Sequence, residues 1–361
     1  MRQLVFRATA VLAMAMAGSG TASAQDSEAT HGAIAQASVT RHILPRYERL
    51  AETGEALTAA ADTYCAVKNA AAFSTLDRAF RDYWIAWAGI RHIQFGPVTY
   101  LDRAYRIQFW PDTRNKIGKQ LSRTLSAADE TALSADRFSG TSVAIQGLPA
   151  LERLLAEGHE SYATEKGTFR CSLTTVIARN LADMARNIAV EWNPTDGYAQ
   201  YLSGAGSDPD TEIGQVSIDL LQSLLAEVEA SRDLRIGRPI GSSVETARPK
   251  LAEAWRSGLS LEIMATSVEG IADLYLNGGF DTALRMAGNA KLADRIATLF
   301  SQVSGDIAAI GMPLYRAYED AAARRKLETI RAELKELAGM IRTDLAVSLD
   351  ISPGFNSRDG D

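Results

Sequence analysis

The apolar residues of this chain recur in threes and fours. Leu292, Ile296, Leu299, Phe300, Val303, Ile307 and Ile310 form one such stripe. Leu327, Ile330, Leu334, Leu337, Ile341 and Leu345 form a second, and Ile213, Val216, Leu220, Leu224 and Val228 a third. Residues spaced in this way share one face of a helix, and that face must be buried. Sustained period-two runs of β-branched residues, which would signal strands, are missing. The fold class read from this pattern is all-α. Helices are expected near 30–66, 74–94, 114–124, 141–157 and 170–201, then near 211–234, 244–256, 260–277, 289–310 and 314–348. Ser260 ahead of Leu261-Glu262, and Asp208-Pro-Asp210 ahead of Thr211-Glu212, supply capping chemistry at two of the starts.

Between the two sets lies Ser203-Gly-Ala-Gly-Ser-Asp-Pro-Asp210, rich in Gly, Ser and Asp and without apolar periodicity. It reads as a linker. Residues 25–202 and 211–352 are expected to form two helical bundles with a functional cleft between them. Pro353-Gly354 ends the last helix, and 353–361 reads as a flexible tail.

The first 24 residues read as a cleavable secretory signal. Arg2 and Arg7 make a basic start, Ala8–Ala17 a short apolar core, and Ala22-Ser-Ala24 a cleavage site before Gln25. The apolar core is too short to span a bilayer, and no later segment looks membrane-spanning. The expected address is therefore the periplasm. The chain carries 38 basic and 44 acidic residues, a net charge of −6. Removing a leader with two arginines and no acid makes it more acidic still. With no basic stripe, nucleic acid is not an expected partner. Cys65 and Cys171 are the two cysteines. An even pair in an oxidising compartment favours one disulfide over two free buried thiols.

Four patches then stand out in order. The helix Ala79–Trp87 leads into Phe95-Gly96-Pro97, followed by Phe109-Trp110-Pro111-Asp112. The segment Gly147-Leu-Pro149-Ala-Leu-Glu152 comes third, and Glu253-Ala-Trp-Arg256-Ser257-Gly-Leu-Ser260 fourth. Together they resemble the imelysin-like proteins, bacterial envelope proteins associated with iron uptake and also classed as metallopeptidases. The resemblance implies two helical bundles with the functional site between them. Tyr64-Cys65 and Arg170-Cys171 are also similar to cysteine contexts in that family. The family hallmark is Gly-x-His-x-x-Glu, and here Pro149 stands at the His position. A His and a Glu three apart share a helical face and can share a metal, whereas proline has no ligand atom.

Glu152 is the leading candidate residue, including as a metal ligand. It lies in an otherwise apolar segment, where a carboxylate must be paired, hydrogen-bonded or metal-bound. A pairing with Arg153, or with an arginine across the interface, is the plainer reading. Pro149 either opens a helix around Gly147 or kinks one running from Ser142. Trp84 and Trp87 read as core residues, and Trp110 as either core or site. His92 is the best stand-in for the missing imidazole among His31, His42, His92 and His159.

Independent peptidase chemistry is not supported. The His-Glu dipeptide His159-Glu160 is not followed by the second His of a zincin, and Gly-x-Ser-x-Gly is missing. Oxygen ligands remain open: Glu152 and Asp112 could meet Ser260 or Glu253 around a divalent or iron-type ion, or around a small ligand carrying its own metal. Arg256 beside Ser257 could instead hold an anion. The leading expectation is a periplasmic binding protein for iron or other metal uptake, without peptidase activity, working with an envelope uptake partner. A metallopeptidase with a compensating ligand and a partner-binding scaffold are the alternatives.

Overall fold

A computed structural model of the chain describes residues 19–164, 166–203 and 213–351. The start of the expected leader, nearly all of the expected linker and the expected tail lie outside the described residues. Among the described residues the fold is all-α, without a strand. The principal helices are α1 (Ser19–Ser38), α2 (Leu44–Val67), α3 (Ala70–Ala88), α4 (Lys116–Ala127), α5 (Leu148–Ala156) and α6 (Gly167–Glu191). They are followed by α7 (Ile213–Glu229), α8 (Ser260–Asn277), α9 (Ala290–Ala308) and α10 (Ala321–Gly339).

Helix α2 is the centre of the first group, packed against both α3 and α6. It buries Tyr47, Leu50, Leu57, Ala61 and Tyr64 along one face. Gly54 lets the α2 and α6 backbones approach closely, because a Cβ there would sit 2.9 Å from Ala182 Cα. Asn69 caps α3 by accepting a hydrogen bond from Ala72 N at 2.9 Å. The expected disulfide joins Cys65, near the end of α2, to Cys171, near the start of α6, with Cα atoms 5.5 Å apart.

The second group is α7 to α10, and most residues of the three stripes read from the sequence are buried in it. Leu220, Leu224 and Val228 on α7, Ile296, Phe300, Val303 and Ile307 on α9, and Leu327, Ile330, Leu334 and Leu337 on α10 face inward. Helix α1 packs against α7. Its end is tied down by Ser38 Oγ, which donates to Gly278 O at 2.9 Å. The groups touch where α3 ends beside α8: a Cβ on Gly270 would lie 2.6 Å from Gly89 O.

Several helix expectations need correcting. The helix expected over 170–201 ends at Glu191 and resumes at Tyr198, and that over 314–348 is broken between Ala317 and Ala321. Residues 244–256 form turns with one short 3-10 segment, Pro249–Leu251, rather than a helix. Pro249 withholds a backbone donor, and Ala254 (φ 51°) and Gly258 (φ 75°) take left-handed conformations that no helix continues. Residues 141–157 are broken at Gly147 between a 3-10 turn, Val143–Ile145, and α5. Ser260 opens α8 as its first helical residue, not as its cap, and its hydroxyl donates to Glu253 O instead. Three π-helical turns, Val39–Ile43, Ala230–Gly237 and Met340–Leu345, interrupt otherwise continuous helices. The first two carry His42 and Arg235, which matter below.

Candidate functional site

Helix α5 enters between close neighbours. Gly147 precedes it, and a Cβ there would lie 2.3 Å from Arg106 O and 2.4 Å from Ile107 O. Only glycine fits against those carbonyls. Pro149 sits buried in the first turn, where its missing N–H has no helical partner to lose. Of the two readings of Pro149, the helix start is the one found. Glu152 lies one turn on, 4% exposed.

The Glu152 carboxylate reaches across to the second group. Its Oε1 accepts hydrogen bonds from Arg256 N at 3.1 Å, Ser257 N at 2.9 Å and Ser257 Oγ at 2.9 Å. The turn at Ala254 and Gly258 aims those donors at one point. Burial pushes the Glu152 carboxyl above its ordinary range, while the Ser257 and Arg256 hydrogen bonds and the Arg256 charge pull it back. Arg153 is not its partner. Its Nη2 donates to Asn115 Oδ1 at 2.6 Å.

Pro149 and Glu152 line a cavity of about 400 Å³ together with Trp84, Trp110, Asp112 and Arg256. Trp255, Arg153, Arg238 and Lys250 complete its aromatic and basic walls. Several residues singled out from the sequence are thus brought together here. Asp112 has a local task as well: Oδ1 accepts from Lys116 N at 2.7 Å and Oδ2 from Ile117 N at 2.9 Å, capping α4. Phe95, Gly96 and Pro97 do not line this cavity. Phe95 packs edge-on to Trp192 with ring centroids 6.0 Å apart, and Gly96 (φ 67°) turns the chain beside Tyr198. Ser260 is buried and does not line it either.

The donors around this cavity do not suit a directly bound metal ion. Position 149 offers no ligand atom, both Asp112 oxygens are engaged, and Glu152 Oε1 already takes three hydrogen bonds. Among the described residues no group of three His, Cys, Asp or Glu is placed to hold a metal. His92 does not stand in. Its Nε2 lies 2.8 Å from His42 Nε2, and His42 Nδ1 lies 2.7 Å from Asp273 Oδ2. His159 meets Tyr64 OH, and His31 meets Leu349 O.

Glu253 belongs to a different constellation, which the sequence did not reveal. Arg91 Nη1 and Gln108 Nε2 both donate to its Oε1, and Arg235 Nε donates to Oε2 at 2.8 Å. Arg235 also pairs with Glu227 at 3.0 Å, and Arg91 Nη2 donates to Ser267 Oγ at 2.7 Å. Burial alone would push the Glu253 carboxyl up, but Arg91 and Arg235 hold it down at about 2. These side chains come from α7, α8, the π turn and three loop segments, so no local spacing connects them. A second cavity of about 460 Å³ lies beside them, lined by Trp87, Arg91, His92, Gln108, Glu227 and Arg235 among others. Trp110 borders both cavities.

Comparisons with known proteins agree with this fold. The family model Imelysin (Peptidase_M75) matches residues 43–341. An imelysin-like protein from Psychrobacter arcticus 273-4 superposes with a TM-score of 0.74 at 20% identity, over 91% of this chain and 98% of that one. A protein from Parabacteroides distasonis ATCC 8503, titled "putative iron-regulated protein A precursor", also gives 0.74, at 14% identity over 87% and 94%. No curated protein matches. At these identities the two structures speak for the fold alone, whereas the family model covers most of the chain. The chain belongs to the imelysin family.

Proposed function

We propose that this chain is an exported, periplasmic binding protein that serves iron or other metal uptake and has no peptidase activity. In this reading the leader is removed after Ala24, and the chain delivers its ligand to an envelope partner. Residues 25–202 and 211–352 act as two bundles joined by 203–210, with the ligand site at the Gly147–Glu152 junction. Among the described residues no helix is long and apolar enough to cross a membrane, which accords with this reading. The name of the Parabacteroides relative supports the link to iron.

The observation that carries the proposal is the engagement of Glu152 beside Pro149. A catalytic zinc normally needs three protein ligands and an open position. Here the motif carboxylate holds backbone donors of the second group, and its imidazole partner is replaced by a ring without lone pairs. The test is peptide cleavage by the mature protein with and without a chelator, after loading with zinc, manganese or iron. No chelator-sensitive cleavage is expected, and cleavage with any of these metals would overturn the proposal. In the complementary experiment, Pro149→His should raise zinc affinity, and Glu152→Ala in that background should remove the gain.

A further inference from the structure

We infer that the cavity beside Glu152 takes a small organic polyanion, rather than a bare metal cation. The inference rests on the binding-protein reading above and names its ligand class. Arg153, Arg238, Lys250 and Arg256 all line this one cavity. Among the described residues none of the four forms an ion pair, although eighteen other such contacts occur in the same chain, from His42–Asp273 to Arg342–Glu229. Unpaired cations gathered on a concave wall are a recognition pattern, because like charges repel unless something neutralises them.

The two acids in the wall offset only part of that charge, and neither forms an ion pair with the four cations. Asp112 has both oxygens on the backbone of α4, and Glu152 Oε1 accepts three hydrogen bonds from Arg256 and Ser257. Arg153 is restrained by Asn115, a neutral partner, and its buried Nε has no hydrogen-bond acceptor. Arg256 sits over the Trp255 ring, with Cζ 4.3 Å from the ring centroid, and Lys250 Nζ approaches the same ring at 5.7 Å. Stacking of this kind holds a guanidinium in place while leaving its N–H edge free for a planar carboxylate or phosphate. Burial and repulsion from Arg153 both lower the Arg256 pKa, and Glu152 and Asp112 only partly compensate.

A cavity of about 400 Å³ is of small-molecule size. Its tryptophans suit the carbon frame of the ligand and its four cations suit two or more anionic groups. The shared chemistry is a compact polycarboxylate or phosphate compound, free or wrapped around a metal ion as an anionic chelate. In the last case the metal is cargo and makes no bond to the protein.

The test is calorimetric titration of the mature protein with citrate, ferric citrate, inorganic pyrophosphate and, separately, zinc and ferrous ions alone. At least one anion should bind, and its affinity should fall steeply with added salt. Lys250→Glu and Arg238→Glu alter exposed side chains and should leave the helical circular dichroism unchanged. Each should weaken anion binding about tenfold or more, the scale of one lost charge-assisted contact. The citrate and pyrophosphate arms separate carboxylate from phosphate recognition. Three outcomes overturn the inference: no anion bound at millimolar concentration, anion binding insensitive to both variants, or a bare metal ion bound more tightly than every anion. The third leaves the binding-protein reading standing. That reading instead fails on chelator-sensitive peptide cleavage, so the two failures are distinguishable.

Discussion

Glu152 Oε1 lies 2.9 Å from both the backbone nitrogen and the hydroxyl of Ser257, 105 residues further along the chain. One carboxylate of α5 thereby organises a turn of the second helical group. A buried acid at the family motif is thus a structural tie, and removing it should be felt by the fold before any ligand is added.

Glu152→Ala is expected to cost about 2–4 kcal/mol, because two backbone donors and a hydroxyl lose their acceptor in a buried place. Glu152→Gln keeps an acceptor oxygen and should cost about 1 kcal/mol or less. Its relief is electrostatic: burial raises the carboxyl pKa, so ionising Glu152 at neutral pH works against the folded state. Urea denaturation of both variants at pH 7 checks the order. Equal losses would show that the hydrogen bonds to Ser257 and Arg256 carry little of the stability.

Gly147→Ala should be among the most damaging single methyl additions. The new Cβ would lie 2.3 Å and 2.4 Å from two backbone carbonyl oxygens, neither of which can rotate away. A loss of about 2–4 kcal/mol is expected, at the upper end for overpacking. Thermal unfolding measures it directly, and a loss below about 0.5 kcal/mol would mean that the 106–107 backbone yields freely.

Replacing both cysteines by alanine should lower stability by about 2–5 kcal/mol, since the bond closes a loop with a sequence separation of 106. Helical circular dichroism at 25 °C should survive, because α2 and α6 remain packed along their length. An unchanged melting temperature would contradict the prediction.

Acid should weaken the fold in two windows. Burial is the first cause that lowers the pKa of both His42 and His92, and Arg46 lowers both further. Arg91 and the His42 charge also oppose protonation of His92, while Asp273 favours it. Asp273 at 2.7 Å makes His42 Nδ1 the protonated nitrogen, so His42 Nε2 accepts from His92 Nε2–H. Arg46 Nε, 3.2 Å from the same Nδ1, is itself a donor and acts there through its charge. Both folded pKa values lie below the ordinary histidine value, so the unfolded chain binds more protons and stability declines as pH falls below about 6.5. Glu253 has a depressed folded value of about 2, so its contribution is present above about pH 4.5 and is lost as pH falls towards 2. Urea midpoints from pH 7.5 to 3 should show both declines, and His92→Gln should flatten only the first. A flat profile from pH 7.5 to 5.5 would rule out the histidine contribution.

Glu253→Gln should cost about 3–5 kcal/mol, because it leaves Arg91 and Arg235 buried without their shared carboxylate. Replacing Arg91 together with Glu253 by neutral residues should cost less than the two single changes summed. Additive losses in that double-mutant cycle would show that the pair is not coupled.

Helix identity was legible in the sequence because burial of one face imposes a local period, and Leu220, Leu224 and Val228 on α7, Ile296, Phe300, Val303 and Ile307 on α9, and Leu327, Ile330, Leu334 and Leu337 on α10 follow it. The disulfide was legible too, since two cysteines permit one pairing. The expected helix over 244–256 failed for a physical reason: Ala252 and Ala254 are buried from turns, which periodicity cannot distinguish from a helical face. The sequence also marked Gly147, Pro149, Glu152, Asp112 and Arg256 as belonging together. It could not say that Glu152 would meet backbone nitrogens, because backbone donors have no letter in a sequence. Nor could it show four cations on one wall or Glu253 between two arginines. Those groups come from helices and loops far apart in the chain, and only the packing of one helical group against the other sets their distances. Local spacing determines which face of each helix is buried, whereas tertiary structure alone decides which charges are left without a partner.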